Sequence, residues 1–460
     1  MYIIDQNSKI PLHIQLYNEL KSDIISNLKI GDKINSIRKT SALYNVSKNT
    51  VEAAYSQLVA EGFIDSYPKS GYVVTDTNYN NFNTTNIETT IILEKQKEYL
   101  YDFNPARLEK NSFPLKLWKR IFTKVIDDSL DFGAYTNSQG EYGLRKEISK
   151  YLISSRRVRC NPDQIIVSNG FLDSMQLLAN MLQQTYKSFA IEEPGYHVAY
   201  KAFDGYGYKV NKISLDTNGI KIDELKKSHS KLVYITPSHQ YPTGVSMPVS
   251  KRLELLKWAN EKDAFIIEDD YDSELTYENR PIPSLQGLDK FDRVIYIGTF
   301  SKSLSPAIRV NYMVLPTKLM ELYKKSFHFH DSSVSLMTQK TLQLFMQDGY
   351  WDKHLRKIRT LNKKKHNLMR DLLIEKLGDS LRIETQGGGL AILINPNVAF
   401  DFEQLKLLAE SVQIKIYFAK DNSGGNWDAL RMGFGGLQLK EIPKAIDLFS
   451  DIWHKCIIRS

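Results

Sequence analysis

A chain of 460 residues with 42% apolar residues is too long for one ordinary hydrophobic core and carries enough apolar material for two or more domains. Charged residues at 25% suit a water-exposed fold, and a net charge of +8 with a pI near 9.0 permits a polyanionic partner without requiring one. Two cysteines, Cys160 and Cys456, exclude a disulfide framework, and no metal-ligand spacing, signal-peptide pattern or uncharged run of membrane-spanning length is present, so the expectation is a cytoplasmic protein with no membrane span and no metal.

From Pro11, "PLHIQLYNELKSDIISNL" sets Leu12, Leu16, Leu20, Ile24 and Leu28 at helical spacing, with Pro11 where a helix can begin. "GDKI" reads as a turn. "NSIRKTSALYN" then offers Ser36 as a cap, Ile37, Ala42 and Leu43 as a buried side, and Asn45 as a stop. In "VSKNTVEAAYSQLVAEGF", Ser47 caps a second helix, Val51, Ala54, Tyr55 and Leu58 recur on one side, and Gly62 ends it. Two short helices around a tight turn form a helix-turn-helix. "FIDSYPKSGYVVTD" adds two short strands about a turn, the outline of a wing.

"DTNYNNFNTTNIETT", Asp76 to Thr90, has little periodicity and reads as a flexible linker. Beyond Tyr101, β-branched runs alternate with amphipathic stretches. "IIVSN", "FAIEEP", "KLVYITP", "AFIIEDD", "VIYIGTF" and "NYMVLP" are the expected strands of an α/β domain with a largely parallel sheet, followed after Ile383 by a smaller α+β subdomain. The expected division is residues 1–76, a linker over 77–100, and 101–460.

"YIGTFSKSLSPAIRVNYMVLP" places Lys302 among Thr299, Ser301, Ser303, Ser305 and Arg309 at the mouth of two buried strands. A lysine becomes a nucleophile toward a carbonyl when burial or neighbouring cations lower its pKa. The commonest use of such a lysine is to hold pyridoxal phosphate, which also needs a phosphate cup, an acid facing the ring nitrogen, and a flat group against the ring. All three are offered at strand ends. Gly170 and Phe171 open a helix whose free N–H groups can cradle phosphate, joined by Ser301 and Arg309. "IIEDDYDSEL" supplies a carboxylate and a phenol, and Tyr196 in "EEPGYHVAY" supplies a ring.

These stretches, with "TPSHQYPTG", resemble fold-type I aminotransferases over residues 101–460. Pro11 to Thr75 resembles the winged helix of GntR-type regulators, and the fusion resembles the MocR subgroup of that family. The resemblance makes Lys302 the lysine that bonds the cofactor, Asp269 the partner of the pyridine nitrogen, Tyr271 the partner of the 3′ oxygen, and Tyr196 the stacking ring. Gly170, Ser301 and Arg309 become the phosphate cup. Tyr135, in "YTNSQGEYGLR", matches a tyrosine that reaches a phosphate across a dimer interface, and so implies a homodimer. Arg431, in "LRMGFGG", matches the arginine that clamps a substrate carboxylate. Tyr241 stands where aminotransferases carry asparagine beside the 3′ oxygen. The phosphate turn "NGFLDS" lacks the usual hydroxyl and glutamine side chains, and Ala391 replaces a frequent histidine.

In a winged helix the second helix of the motif enters the major groove by its N-terminal residues, here Ser47, Lys48, Asn49 and Thr50. Arg38 matches a DNA-contacting arginine of the GntR pattern, and Lys69 and Ser70 in the wing face phosphate or the minor groove. The implied function is a transcription regulator that binds operator DNA and senses an amino-acid-like or vitamin B6-related effector through its cofactor. An aminotransferase with an accessory DNA-binding module is the alternative. A complete winged helix on a tether favours the regulator.

Overall fold

The computed structural model describes residues 2–6, 8–68, 71–76, 97–128, 130–277, 283–327, 329–384, 387–420 and 426–458. The chain divides into two compact units, Met1–Gln96 and Lys97–Ser460. The linker expected over 77–100 lies outside the described residues as far as residue 96.

The first unit contains α1 (Leu12–Ser26), β1 (Lys33–Ile34), α2 (Ile37–Tyr44), α3 (Lys48–Ala60), β2 (Ile64–Tyr67) and β3 (Gly71–Val74). Ser36 and Ser47 cap α2 and α3 by accepting from the amides of Lys39 and Thr50, and Asn45, in the left-handed region at φ 50°, ends α2. Leu16, Leu20, Ile24, Val51, Ala54, Tyr55, Leu58 and Phe63 close the core. Two details differ from the sequence reading. The "GDKI" turn contains a strand, for Lys33 and Ile34 pair with Val73 and Tyr72 of β3. On α2 the inward side is Ile37, Thr40, Ser41 and Tyr44, the i, i+3, i+4, i+7 row, while Ala42 and Leu43 are exposed. Thr40 wins the interior because its hydroxyl bonds Tyr55 Oη at 2.8 Å, and Tyr55 in turn donates to the Asn35 carbonyl at 2.8 Å.

In the second unit an eight-stranded sheet runs, edge to edge, Ile165–Ser168, Asn311–Val314, Val294–Thr299, Phe265–Asp269, Leu232–Ile235, Ser188–Glu193, Lys209–Asp216 and Gly219–Ile220. Its five central strands from Val294–Thr299 to Lys209–Asp216 are parallel. Asn311–Val314 is antiparallel to both neighbours, and Gly219–Ile220 is antiparallel at the far edge. The six strands expected from sequence are all here. Their continuous apolar runs are what a sheet covered on both faces requires; one apolar cluster covers one face, and two others divide the opposite face. Of the remaining two strands, Lys209–Asp216 ("KVNKISLD") mixes polar with apolar residues and Gly219–Ile220 has only two residues, so neither forms an apolar run.

The chain then forms a long helix, Tyr350–Leu377, and an antiparallel four-stranded sheet ordered Leu381–Ile383, Ala391–Pro396, Asn426–Gly433, Phe418–Lys420. Helices Phe402–Ser411 and Ile442–Lys455 complete this smaller part. Among the described residues no helix is long and apolar enough to cross a membrane, and no group of three or more His, Cys, Asp or Glu is placed to hold a metal. Cys160 and Cys456 are free thiols.

Candidate functional site

Parallel strands deliver their following loops to one edge of a sheet, and ligands of such folds bind there. Ser168, Glu193, Ile235, Asp269 and Thr299 all end strands on that edge. Asn311 joins them because its strand runs the opposite way and therefore starts where the others stop. Together they open a cavity of about 390 Å³ whose lining includes Phe171, Tyr196, Tyr241, Asp269, Tyr271, Ser301, Lys302, Arg309 and Arg431. Residues spread over 260 sequence positions thus meet in one place.

The three consecutive acids of "IIEDDYD" have separate tasks. Glu268 accepts from the amides of Leu285 and Gln286 at 2.7 and 2.8 Å, away from the cavity. Asp270 is buried against Arg156 (2.7 Å) and accepts from Tyr296 Oη at 2.6 Å. Burial alone would push the Asp270 carboxyl up, but the Arg156 guanidinium and the Tyr296 hydroxyl hold it below the usual carboxylate range. Asp269 lines the cavity, accepting from Tyr234 Oη at 2.6 Å. Burial, reinforced by Asp270 and Asp272, pushes its pKa up to about 7 despite that bond and the nearby Lys302. A buried carboxyl held there favours a protonated nitrogen opposite it.

Lys302 is half-buried on the same wall. Burial and then the Arg431 charge pull its ammonium down to about 8, against the pull of Asp272 and Asp269. The rings of Phe171 and Tyr196 lie 5.1 Å apart and those of Tyr196 and Tyr241 5.0 Å, making an aromatic wall. Burial lifts the Tyr196 phenol to about 12, so it stays neutral.

At the other end, Gly170 caps helix Phe171–Leu182 at φ 84°, and a β-carbon there would lie 2.0 Å from Arg309 Nη2. The guanidinium therefore crosses directly over the glycine at a helix N-terminus, a donor set suited to a phosphate. Gly170→Ala should weaken binding of pyridoxal phosphate at least tenfold in a spectrophotometric titration. The methyl group must displace Arg309, and alanine pays about 1–2 kcal/mol for the left-handed backbone.

Sequence reasoning missed several lining groups. Tyr234, Thr236 and Asn311 face the same cavity. Asn311 donates to Ser174 Oγ at 2.8 Å, while its own Oδ1 is buried with no hydrogen-bond partner among the described residues. A smaller chamber beside Lys302 and Arg431 is lined by His239, Asp272, Gly389 and Ala391 among others. His239 Nδ1 pairs with Asp272 Oδ2 at 2.9 Å. Burial disfavours its charge, yet the Asp272 carboxylate more than offsets this and raises the imidazole pKa. Tyr135 is 91% exposed and does not belong to either cavity lining.

In the first unit Arg38, Ser47, Lys48 and Asn49 are exposed, and Thr50 is half-buried at the start of α3. Lys69 and Ser70 lie outside the described residues.

The carboxyl facing an open cavity, the amine of lowered pKa and the glycine crossed by a guanidinium fit pyridoxal phosphate, and the second unit has the class I and II aminotransferase scaffold. Residues 104–415 match the family model described as "Aminotransferase class I and II", and residues 12–74 match "Bacterial regulatory proteins, gntR family". The chain is 34% identical to the HTH-type transcriptional regulator YdeL of Bacillus subtilis, named as uncharacterized, over 98% of both chains. It is 32% identical to the probable rhizopine catabolism regulatory protein MocR of Rhizobium meliloti, covering 88% of this chain and 86% of that one. Among solved structures, a multiple substrate aminotransferase from Thermococcus profundus superposes with a TM-score of 0.69 at 23% identity, covering 79% of this chain and 92% of that one. This chain belongs to the MocR subgroup of GntR-type, DNA-binding transcription regulators, and pyridoxal phosphate is its cofactor.

Proposed function

We propose that the protein is a cytoplasmic, homodimeric regulator whose cofactor cavity reads an amino-acid-like or vitamin B6-related effector and adjusts the hold of two winged helices on operator DNA. The observation that carries this is the pairing of Lys302 and Arg431 on one cavity wall. An amine able to exchange with an incoming amine stands beside a guanidinium able to take a carboxylate, which is the outline of an amino acid. Arg431 Nη1 donates to Tyr241 Oη at 2.7 Å, and its guanidinium lies 4.5 Å from the centre of that ring, so the fork is held in place before any ligand arrives.

In this reading Lys302 bonds the cofactor, whose role when bound is to offer an electrophilic carbon to amines. Asp269 faces its ring nitrogen, and Tyr271 and Tyr241 face its 3′ oxygen. Tyr196 and Phe171 stack against the ring, while Gly170, Ser301 and Arg309 hold the phosphate. Tyr135, exposed and outside its own cavity, supports service to the neighbouring subunit and hence a dimer. Arg38, Ser47, Lys48, Asn49 and Thr50 contact operator DNA, joined by Lys69 and Ser70 from the wing. The DNA-binding domain is assigned to residues 1–76, the linker to 77–100 and the effector domain to 101–460.

The two halves should separate under mutation. Arg38→Ala with Lys48→Ala should weaken operator binding and flatten its salt dependence by about 0.9 per lost phosphate contact, with the cofactor's absorption unchanged. Arg431→Ala should leave basal DNA affinity intact and weaken the response to an effector about ten- to a hundredfold, the worth of a charged hydrogen bond. Steady multiple-turnover transamination of common amino acids with 2-oxoglutarate at ordinary enzyme rates would instead assign the cavity to catalysis.

A further inference from the structure

The DNA-binding unit carries little of the molecule's positive charge. Residues 1–76 contain eight basic and eight acidic residues, so the whole excess of +8 lies beyond residue 76. It is densest on helix Tyr350–Leu377, where Lys353 to Arg370 includes eight lysines and arginines and no aspartate or glutamate.

This helix divides cleanly by side. Trp351, His354, Leu355, Ile358, Asn362, Lys365, His366, Met369, Leu373 and Leu377 are buried. Lys353, Arg356, Lys357, Arg359, Lys363 and Lys364 are exposed. Ion pairs claim the helix's other cations, Lys365 with Glu109, Arg370 with Asp371 and Lys376 with Asp447. None of the six exposed ones pairs with a carboxylate among the described residues. Arg359 donates to the Glu274 carbonyl, and the Lys353 ammonium lies 5.6 Å from the Tyr350 ring centre. At 1.5 Å per residue the row from Lys353 to Lys364 is about 16 Å long. One DNA strand presents a phosphate every ~3.4 Å, so the row spans about five of them. Beside its second half, a groove of about 350 Å³ is lined by Thr276, Arg359, Thr360, Lys363, Lys364 and Asn367, mixing cations with hydroxyl and amide donors that suit phosphate oxygens.

A row of unneutralised cations repels itself and contributes nothing to folding. On a protein already tethered to duplex DNA by its other unit, the polyanion present at high local concentration is that duplex. We propose that the solvent face of helix Tyr350–Leu377 is a second DNA-contact surface, taking the phosphate backbone of duplex next to the segment read by the winged helix.

The test uses the full-length, cofactor-loaded protein and a random-sequence duplex of about 60 bp, long enough for both surfaces, titrated at several salt concentrations. Lys353→Gln, Lys357→Gln and Lys364→Gln are combined in one variant. All three side chains are exposed, so the cofactor's absorption and the unfolding temperature should match the native protein's. The expected result is an affinity at least tenfold lower near 0.1 M salt and a log–log salt slope shallower by about 2.7, three phosphates at ~0.9 each. The same loss should appear when the substitutions are placed on an Arg38→Ala, Lys48→Ala background, which separates this surface from the winged helix. An unchanged slope on both backgrounds would overturn the proposal. So would a variant that alters transcription while binding the duplex normally, since the row would then serve an acidic protein instead.

Discussion

Lys302→Ala should abolish covalent labelling by pyridoxal phosphate and borohydride, whereas the native protein should be yellow and take the pyridoxyl group at that one lysine. The selectivity follows from the site's electrostatics. An ordinary lysine has a pKa near 10.4, whereas burial and Arg431 bring Lys302 to about 8. At pH 7 that difference makes the neutral, nucleophilic amine a few hundredfold more abundant at Lys302 than at a surface lysine. Peptide mapping of the reduced protein checks this directly. Label on a different lysine, or equal labelling of the variant, would refute the assignment. The variant should remain folded, because among the described residues no hydrogen bond or ion pair of the surrounding acids runs through the Lys302 side chain.

The second large effect concerns a residue that touches no ligand. Arg156→Leu should destabilise the second unit by about 3–5 kcal/mol, because it strands the Asp270 carboxylate in a buried position beside Glu268 and Glu274. For a unit of this size the apparent unfolding temperature would fall about 4–7 °C. The pH dependence has a definite sign. In the native protein Asp270 is held below its unfolded value, so its contribution is present at neutral pH and fades as pH drops through the folded value. Without Arg156 the carboxyl pKa rises and protonation relieves the stranded charge. The gap between variant and native protein should therefore narrow from pH 7 to pH 5 in thermal unfolding. A gap constant with pH would mean that Asp270 is not the cause.

Much of this site could be read from sequence because each key residue follows an apolar run that had to be a buried strand. Asp269, Lys302, Tyr196 and Gly170 were legible in that way. What escaped was pairing between loops. His239 and Asp272 are 33 positions apart, yet a signal existed: Ile235 and Glu268 are register partners on adjacent parallel strands, and each partner of the pair follows its strand residue by four. Equal offsets beyond equal register bring loop residues together. Arg156 had no comparable signal, since it arrives from the end of a helix 114 residues before Asp270. The inward side of α2 was misjudged for a different reason. Hydrophobicity pointed to Ala42 and Leu43, whereas a hydroxyl bond between Thr40 and Tyr55 decided the rotation of an eight-residue helix.

Tyr241 lines the cavity, and its hydroxyl accepts from the Arg431 guanidinium. In the proposed sensor one side chain therefore sits on two ligands' terms at once. Thermodynamic reciprocity then applies: whatever the cofactor does to this phenol alters the hold on the effector, and the effector returns the same factor. Such a protein does not tally one metabolite. Loss of either ligand would change the hold on the other by the same factor.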